Sequence, residues 1–261
     1  PIRFPAFTSK VNYRNHRKIA VFDGRVGYVG GMNIALRYVK GLGAQAWRDT
    51  MVRIHGNVVY GLQRAFLVDW FFVDRTLITD RRYYPEFPLP QTECLAQVVT
   101  SNPIDSWPKI EQGFVRVIHS ARQYVYIETP YFLPTEPVLF ALRTAALSGV
   151  DVRLMIPRKA DSKFVAWASR SFVKEIADAG VRVLFYDRGF NHSKLLVSDD
   201  LLATIGSTNV DFRSFEHDFE SNVFFYDQAM ALRVKQVFLD DEADSIPLDQ
   251  LREGASRGLL L

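Results

Sequence analysis

An α/β protein built as two lobes about a pseudo-twofold axis is the fold this sequence predicts, on three observations. Short β-rich runs alternate with segments of helical apolar spacing along most of the chain. One polar pattern is written twice, as NHRKIAVFDG at 15–24 and NHSKLLVSDD at 191–200. Of the 261 residues, 48% are hydrophobic, enough to bury a sizeable core.

The elements follow in order. KIAVFDGRVGYVGG (18–31) reads as a β-hairpin; no G-K-[ST] follows its glycines, so it is not a phosphate loop. RDTMVRIHG (48–56) reads as a strand and 57–74 as a helix. Within that helix AFLVDWFFV (65–73) is the most apolar window and is expected to face the core. Asp69 interrupts it well short of the ~20 residues that cross a bilayer. Residues 75–92, with Pro85, Pro88 and Pro90, read as a connector. Strands are then expected at 94–100, 123–128, 151–157 and 181–187, with helices at 107–121, 136–149 and 162–180 between them. KLLVSDD and LLATIGS form a hairpin, 219–227 a strand, 228–240 a last helix, and the tail beyond Pro247 is expected to be loose. Cys94 is the single cysteine, read as a buried small hydrophobe, which excludes a disulfide framework and a cysteine metal cluster.

The two copies align by their histidines. His16 and His192 stand 176 positions apart (192 less 16). Asn15 and Asn191, Lys18 and Lys194, Asp23 and Asp199, Gly30 and Gly206, and Asn33 and Asn209 keep that offset. Both copies therefore read N-H-x-K-x4-D-x6-G-[GS]-x-N. A long unit present twice points to duplication rather than to a solenoid of many short repeats. The boundary falls near residue 90, giving a first lobe over 1–90 and a second over 91–261. About ninety residues of α/β pattern precede His192 in its lobe, but only fifteen precede His16. The first lobe is therefore expected to lack its opening strands and helices. The chain begins with Pro1 and shows no signal peptide, and it is read as a piece of a longer protein.

Alternate strand residues share a face, so His16 and Lys18 should point together, as should His192 and Lys194. A histidine attacks or shuttles protons near neutral pH, and a lysine two positions on supplies positive charge for a phosphate oxygen. One copy gives half a site. Two copies about a twofold axis let one histidine attack a phosphorus while the other protonates the leaving alkoxide. Asn33, Asn209 and Ser207 are candidate phosphate ligands. Asp49 and Glu220 are candidates for the acids that orient each imidazole. Asp23 and Asp199 complete the boxes but, seven residues from the histidines, read as turn or network acids. His55, His119 and His217 have no repeat partner and read as structural. A single H-x-K is ordinarily a surface polar pair; repetition lifts this one above that reading. Metal binding is disfavoured, since there is no H-E-x-x-H and an ammonium repels a cation. A net charge of +3, from 32 basic and 29 acidic residues, lacks the dense basic tract of a nucleic-acid arm.

The paired H-x-K-x4-D boxes resemble the phospholipase D superfamily. NYRNHRKIAVFDGRVGYVGGMNI, WRDTMVRIHG, IETPYFLPTEPVLFALRTAALSGVDVRLMIP and GSTNVDFRSFEHDFESN are similar to bacterial cardiolipin synthases, over nearly the whole chain. The resemblance implies two α/β/α lobes side by side, the first truncated, with the site at their interface and no metal or cofactor. It implies His16, Lys18, Asp23, His192, Lys194 and Asp199 as the catalytic set, and ping-pong phosphatidyl transfer through a phosphohistidine. In the cardiolipin synthases two phosphatidylglycerols give cardiolipin and glycerol. The first box of such proteins usually supplies the nucleophile, which favours His16 with His192 as the acid; the pseudo-symmetry leaves the reverse open. Phosphatidylglycerol and an anionic membrane surface are the expected partners, with no nucleic acid, at the bacterial inner membrane. Full-length members commonly carry N-terminal membrane helices, which this sequence does not show. A hydrolytic phosphodiesterase on phospholipid or nucleic acid, or an idle binding module, are the other readings.

Overall fold

The structure, a computed structural model, describes residues 13–40, 47–87 and 94–255. The chain enters through a short strand β1 (Arg14–Asn15), then forms β2 (Ile19–Phe22), β3 (Val26–Gly30), β4 (Met51–His55) and α1 (Val59–Asp74). After it come β5 (Leu95–Ser101), α2 (Lys109–Ser120), β6 (Tyr124–Glu128), β7 (Phe132–Leu133), α3 (Glu136–Leu147), β8 (Asp151–Pro157), α4 (Lys163–Asp178) and β9 (Arg182–Tyr186). The last part holds β10 (Leu195–Ser198), β11 (Leu202–Gly206), β12 (Val210–Asp211), α5 (Phe212–Glu216), β13 (Asp218–Tyr226), α6 (Gln228–Ala243), β14 (Ser245–Pro247) and α7 (Leu248–Ala255).

The central sheet has nine strands in the order β1-β13-β11-β10-β6-β8-β9-β14, with β5 also on β13. Strand alternation divides its side chains between two cores. Val125, Ile127 and Leu196 face a layer made by α2, α3 and α4, packed around Phe114, Ile118 and Leu142. Tyr124, Tyr126, Leu195 and Val197 face the other way, onto Phe238 of α6. The same second core takes in Val29, Val52, Ile54 and Leu62 from the three-stranded sheet β2-β3-β4 and α1. The two sheets therefore share one apolar layer. Two backbone crossings pin them further: β1 runs parallel to β13, with Asn15 opposite Phe219, and Arg48 bridges Asn191 in parallel.

Most elements lie where the periodicity places them, and four expectations need correction. His16–Lys18 and His192–Lys194 are not within strands; they lead into β2 and β10. Cys94 is exposed, because it precedes a strand that pairs along one side only, with β13. α1 buries Val59, Leu62 and Ala65, but its apolar window is exposed at Phe66, Val68, Trp70, Phe71, Phe72 and Val73. A helix apolar on every side buries only the face that meets a neighbour. The described part of the tail, Leu248–Ala255, is helical, with Leu248 buried. Pro88 and Pro90 of the connector lie outside the described residues.

Close packing explains the repeated glycines. A β-carbon on Gly30 would strike the Thr50 carbonyl oxygen; on Gly206 it would strike the Ser221 carbonyl and the Asn222 side chain. Each glycine lets the segment bearing the next acid lie against its hairpin. Gly30→Ala and Gly206→Ala should each cost about 1–3 kcal/mol through overpacking, seen as a lower midpoint in chemical denaturation. An unchanged midpoint would mean that the strands have room to part.

Candidate active site

The crossings put the two boxes into one constellation. The His16 amide donates to the Phe219 carbonyl (2.9 Å), and the His192 amide donates to the Arg48 carbonyl (2.7 Å). Ahead of each histidine the asparagine closes a turn: Asn15 Oδ1 accepts from the Arg17 amide (3.1 Å), Asn191 Oδ1 from the Ser193 amide (2.9 Å). The acid next to each crossing then meets the imidazole from the other half. His16 Nδ1 lies 2.8 Å from Glu220 Oε1, and His192 Nδ1 lies 2.8 Å from Asp49 Oδ2. Both expected orienting acids are thus where the sequence reading puts them, in exchange between halves. A carboxylate at Nδ1 holds a proton there and leaves Nε2 with its lone pair.

The lysines share the faces of their histidines. Lys18 Nζ donates to the His16 carbonyl (2.7 Å), and Lys194 Nζ donates to the His192 carbonyl while standing 2.9 Å from the ring nitrogen. Their charges feel both halves. Burial holds the Lys18 ammonium down to about 8 against the pull of Glu220, Asp49 and Asp218. Burial likewise lowers Lys194 to about 7, with Asp49 opposing and Lys18 assisting. His192 falls to about 4, from burial first and then from Lys194, with Asp49 opposing. In the free site this histidine is neutral at pH 7.

The polar ligands are less symmetric. Asn33 Nδ2 donates to the Tyr38 hydroxyl (3.1 Å), which lies 3.1 Å from His192 Nδ1. Asn209 is buried and its Oδ1 has no protein partner. Ser207 departs from the expectation of a phosphate ligand: it is fully buried, and its hydroxyl donates to Glu220. Its counterpart Gly31 leaves room for the shorter Asp49, whose carboxylate any β-carbon there would strike. Serine with glutamate in one copy thus answers glycine with aspartate in the other.

Asp23 and Asp199 stay out of the constellation despite their place in the box. Both sit in hairpin turns at positive φ (52° and 54°). Asp199 accepts from the amides of Arg122 (2.7 Å), Gln123 (2.9 Å) and Tyr124 (2.9 Å), which ties the start of β6 to the hairpin. The turn positions of both and the amide contacts of Asp199 match the turn or network role that their spacing implies.

Several neighbours escaped the sequence reading. Trp47 packs on His192 with ring centroids 5.5 Å apart and on Phe190 at 4.4 Å. Arg48 forms a paired contact with Asp241 (3.0 and 2.8 Å), fastening the Arg48–Asn191 crossing to α6. Glu128, fully buried beside Asn191 (3.1 Å), is pushed well above the usual carboxylate range by that burial. Asp218 is pushed up to about 6 by burial and Glu220. Tyr38 and Trp47 flank the first box closely enough to have been suspected; Asp218 and Glu128 give no signal without the fold. Among the described residues, His16, Asp218 and Glu220 offer ligand atoms within 4.8 Å of one another and are the group that could hold a cation. Glu220 is already engaged by His16 and Ser207, and Lys18 stands in its field. From Lys18, Asn33 and Tyr38 an open cleft of about 1170 Å³ extends along apolar Ile19, Tyr28 and Met51.

The mixed α/β sheet that brings the two H-x-K boxes together is similar in fold to solved phospholipase D family members. Residues 114–241 match the family model described as "Cardiolipin synthase, PLD-like domain". The chain is 41% identical over 254 residues to a cardiolipin synthase of Listeria monocytogenes, covering 95% of this chain and 52% of that protein. It is 44% identical over 255 residues to one of Staphylococcus aureus, covering 97% of this chain and 51% of that protein. The chain thus spans about half the length of these curated relatives. In fold it is similar to the phosphatidylserine synthase of Haemophilus influenzae, with a TM-score of 0.69 at 15% identity, over 92% of this chain and 64% of that one. It is also similar to the phospholipase D family member Nuc of Salmonella typhimurium, with a TM-score of 0.52 at 19% identity, over 59% of this chain and 98% of that one.

Proposed function

We propose that the protein transfers a phosphatidyl group between phosphatidylglycerol molecules, releasing glycerol and forming cardiolipin. The observation that carries this reading is the exchanged pair of contacts, His16 with Glu220 and His192 with Asp49. It supplies two imidazoles of fixed tautomer beside two ammonium groups. His16 Nε2 attacks the donor phosphorus, His192 gives a proton to the departing glycerol oxygen, and a covalent phosphatidyl–His16 remains. The acceptor hydroxyl then loses its proton to His192 and attacks, and His16 leaves. Lys18 and Lys194, with the amides of Asn33 and Asn209, hold the non-bridging oxygens as charge grows. Apolar Ile19, Tyr28 and Met51 suit the lipid end of the donor. Identity to cardiolipin synthases at 41% and 44% supports the choice of substrate. The division at about residue 90 belongs to the same proposal, each lobe lending the other its acid.

The charge of the free site bears on the roles. A neutral His192 by itself suits an attacking base; His16 is assigned by resemblance, so His192 must take a proton from solvent as the donor binds before it can act as the acid. The donor's anionic phosphate favours that uptake by offsetting the charges of Lys194 and Lys18, which after burial hold His192 down.

No helix among the described residues is long and apolar enough to cross a membrane. A bacterial membrane as the place of action follows here from the lipid substrate alone.

Incubation with phosphatidylglycerol should give cardiolipin and glycerol in equal amounts. Phosphatidate in place of cardiolipin would make the protein a hydrolase. Lysine is cationic below its pKa, so raising the pH through about 7 for Lys194 and about 8 for Lys18 removes both phosphate-binding charges. Accordingly kcat/KM should fall at least about tenfold per unit above pH 8. Bound donor raises both values, so kcat should fall later. A kcat/KM flat to pH 10 would deny the lysines this role.

A further inference from the structure

Besides the outer side of α1, two groups of exposed apolar residues stand out, and the internal repeat tells them apart. Ile34 and Val39 are exposed in the first half. At the 176-residue offset they answer to Val210 and Phe215, which are buried, Phe215 under Phe114 of α2. No counterpart of α2 covers Ile34 and Val39 among the described residues, so their exposure argues for no foreign partner. Phe164 and Trp167 on α4 are different. They are 75% and 67% exposed on a helix whose inner face already buries Ser169, Val173 and Ile176. Nearly one turn apart, their rings lie side by side with centroids 6.4 Å apart.

Positive charge surrounds this pair. Residues 158–174 contain Arg158, Lys159, Lys163, Arg170 and Lys174 against one acid, Asp161. That acid accepts from the Tyr131 hydroxyl (2.7 Å). Arg158 pairs with Asp187 (2.6 Å) and Lys174 with Asp178 (2.5 Å). Lys159, Lys163 and Arg170 form no ion pair among the described residues. Behind α4 lies a cleft of about 310 Å³ walled by Phe132, Ile156, Val165 and Phe185, with Arg170 and Lys174 in its lining. The patch is linked to the active site: Tyr131 packs near Phe190 (6.4 Å between centroids), and Phe190 packs near His192 (6.0 Å).

We propose that the outer face of α4 docks the protein on an anionic bilayer, with Phe164 and Trp167 in the headgroup region and Lys159, Lys163 and Arg170 on lipid phosphates. Aromatic rings favour the membrane interface, and a basic rim draws a surface to negatively charged lipid. The inference rests on the lipid-donor reading and deepens it, since docking here brings the site rim to the membrane that supplies the donor. A protein partner of matching acidity is the competing occupant; the basic rim and the neighbouring apolar cleft favour lipid.

Flotation with vesicles tests it. The protein should bind phosphatidylglycerol vesicles at least tenfold more tightly than phosphatidylcholine vesicles. Phe164→Ser combined with Trp167→Ser should lose at least tenfold on phosphatidylglycerol vesicles. Lys163→Glu combined with Arg170→Glu should lose the preference between the two lipids. All four side chains are exposed, so the thermal midpoint should stay at the wild-type value, which separates lost docking from lost fold. Wild-type binding by the Phe164→Ser, Trp167→Ser variant would overturn the proposal. So would a shift from dimer to monomer in that variant without lipid, because the face would then join two copies. A short-chain phosphatidylglycerol below its micelle concentration distinguishes the two readings. Wild-type turnover of it by the same variant, with vesicle binding lost, supports docking. No turnover by the wild type would strike the transfer reading alone and leave the vesicle result to decide docking.

Discussion

Replacing either His16 or His192 with alanine is expected to lower phosphatidyl transfer by a factor on the order of 10⁴ or more, because each step uses both imidazoles. The two variants should differ in what survives. With His192 gone, a donor carrying an acidic leaving group such as nitrophenol needs no proton, so His16→phosphate bond formation should persist as a single burst. With His16 gone, no leaving group restores the burst, since the attacking nitrogen is missing. Equal bursts from both variants would mean that neither histidine is the sole nucleophile. A burst from His16→Ala alone would exchange the roles.

Asp49→Asn and Glu220→Gln should each lower kcat by about 10²–10⁴, as when an orienting carboxylate is replaced by its amide and the imidazole takes the wrong tautomer. The exchanged contacts give these variants a pattern that a simple two-lobe arrangement lacks. Asp49 lies in the first half but serves His192, so Asp49→Asn should be largely rescued by the acidic leaving group in the first step. Glu220 lies in the second half but serves His16, so Glu220→Gln should not be rescued. Rescue of Glu220→Gln and not of Asp49→Asn would contradict the pairing or the roles. Far-ultraviolet circular dichroism and denaturation midpoints separate this from misfolding, a real concern because both acids are buried.

Much of this was legible from one chain because duplication acts as an internal alignment. Histidine, lysine, glycine and asparagine kept at one offset point to a shared site, and the strand and helix periods place the hairpins that carry them. Asp49 and Glu220 were within reach because each follows its own copy of the box, just before β4 in one case and near the start of β13 in the other. What the sequence could not show was the exchange of acids between halves, since it depends on β1 joining β13 and on Arg48 meeting Asn191. Spacing along a chain does not encode which strand edge a distant segment will choose.

Other misreadings have local causes. Ser207 looked like a phosphate ligand because a hydroxyl beside an asparagine suits one; its full burial commits it to Glu220. The apolar window of α1 looked like core because periodicity measures what a helix can bury and not what is there to cover it. The short links before β2 and β10 were read as strand because extended backbone gives the same alternation with or without a ladder partner.

Acid-quench mass spectrometry during turnover of phosphatidylglycerol tests most directly the claim that both boxes form one covalent site. Samples stopped within the first turnover should carry a phosphatidyl group on His16, decaying as cardiolipin appears, and none on His192. A label on His192 would reverse the division of labour. Cardiolipin formed with no label on either histidine, at any stopping time and with any donor, would contradict the covalent route.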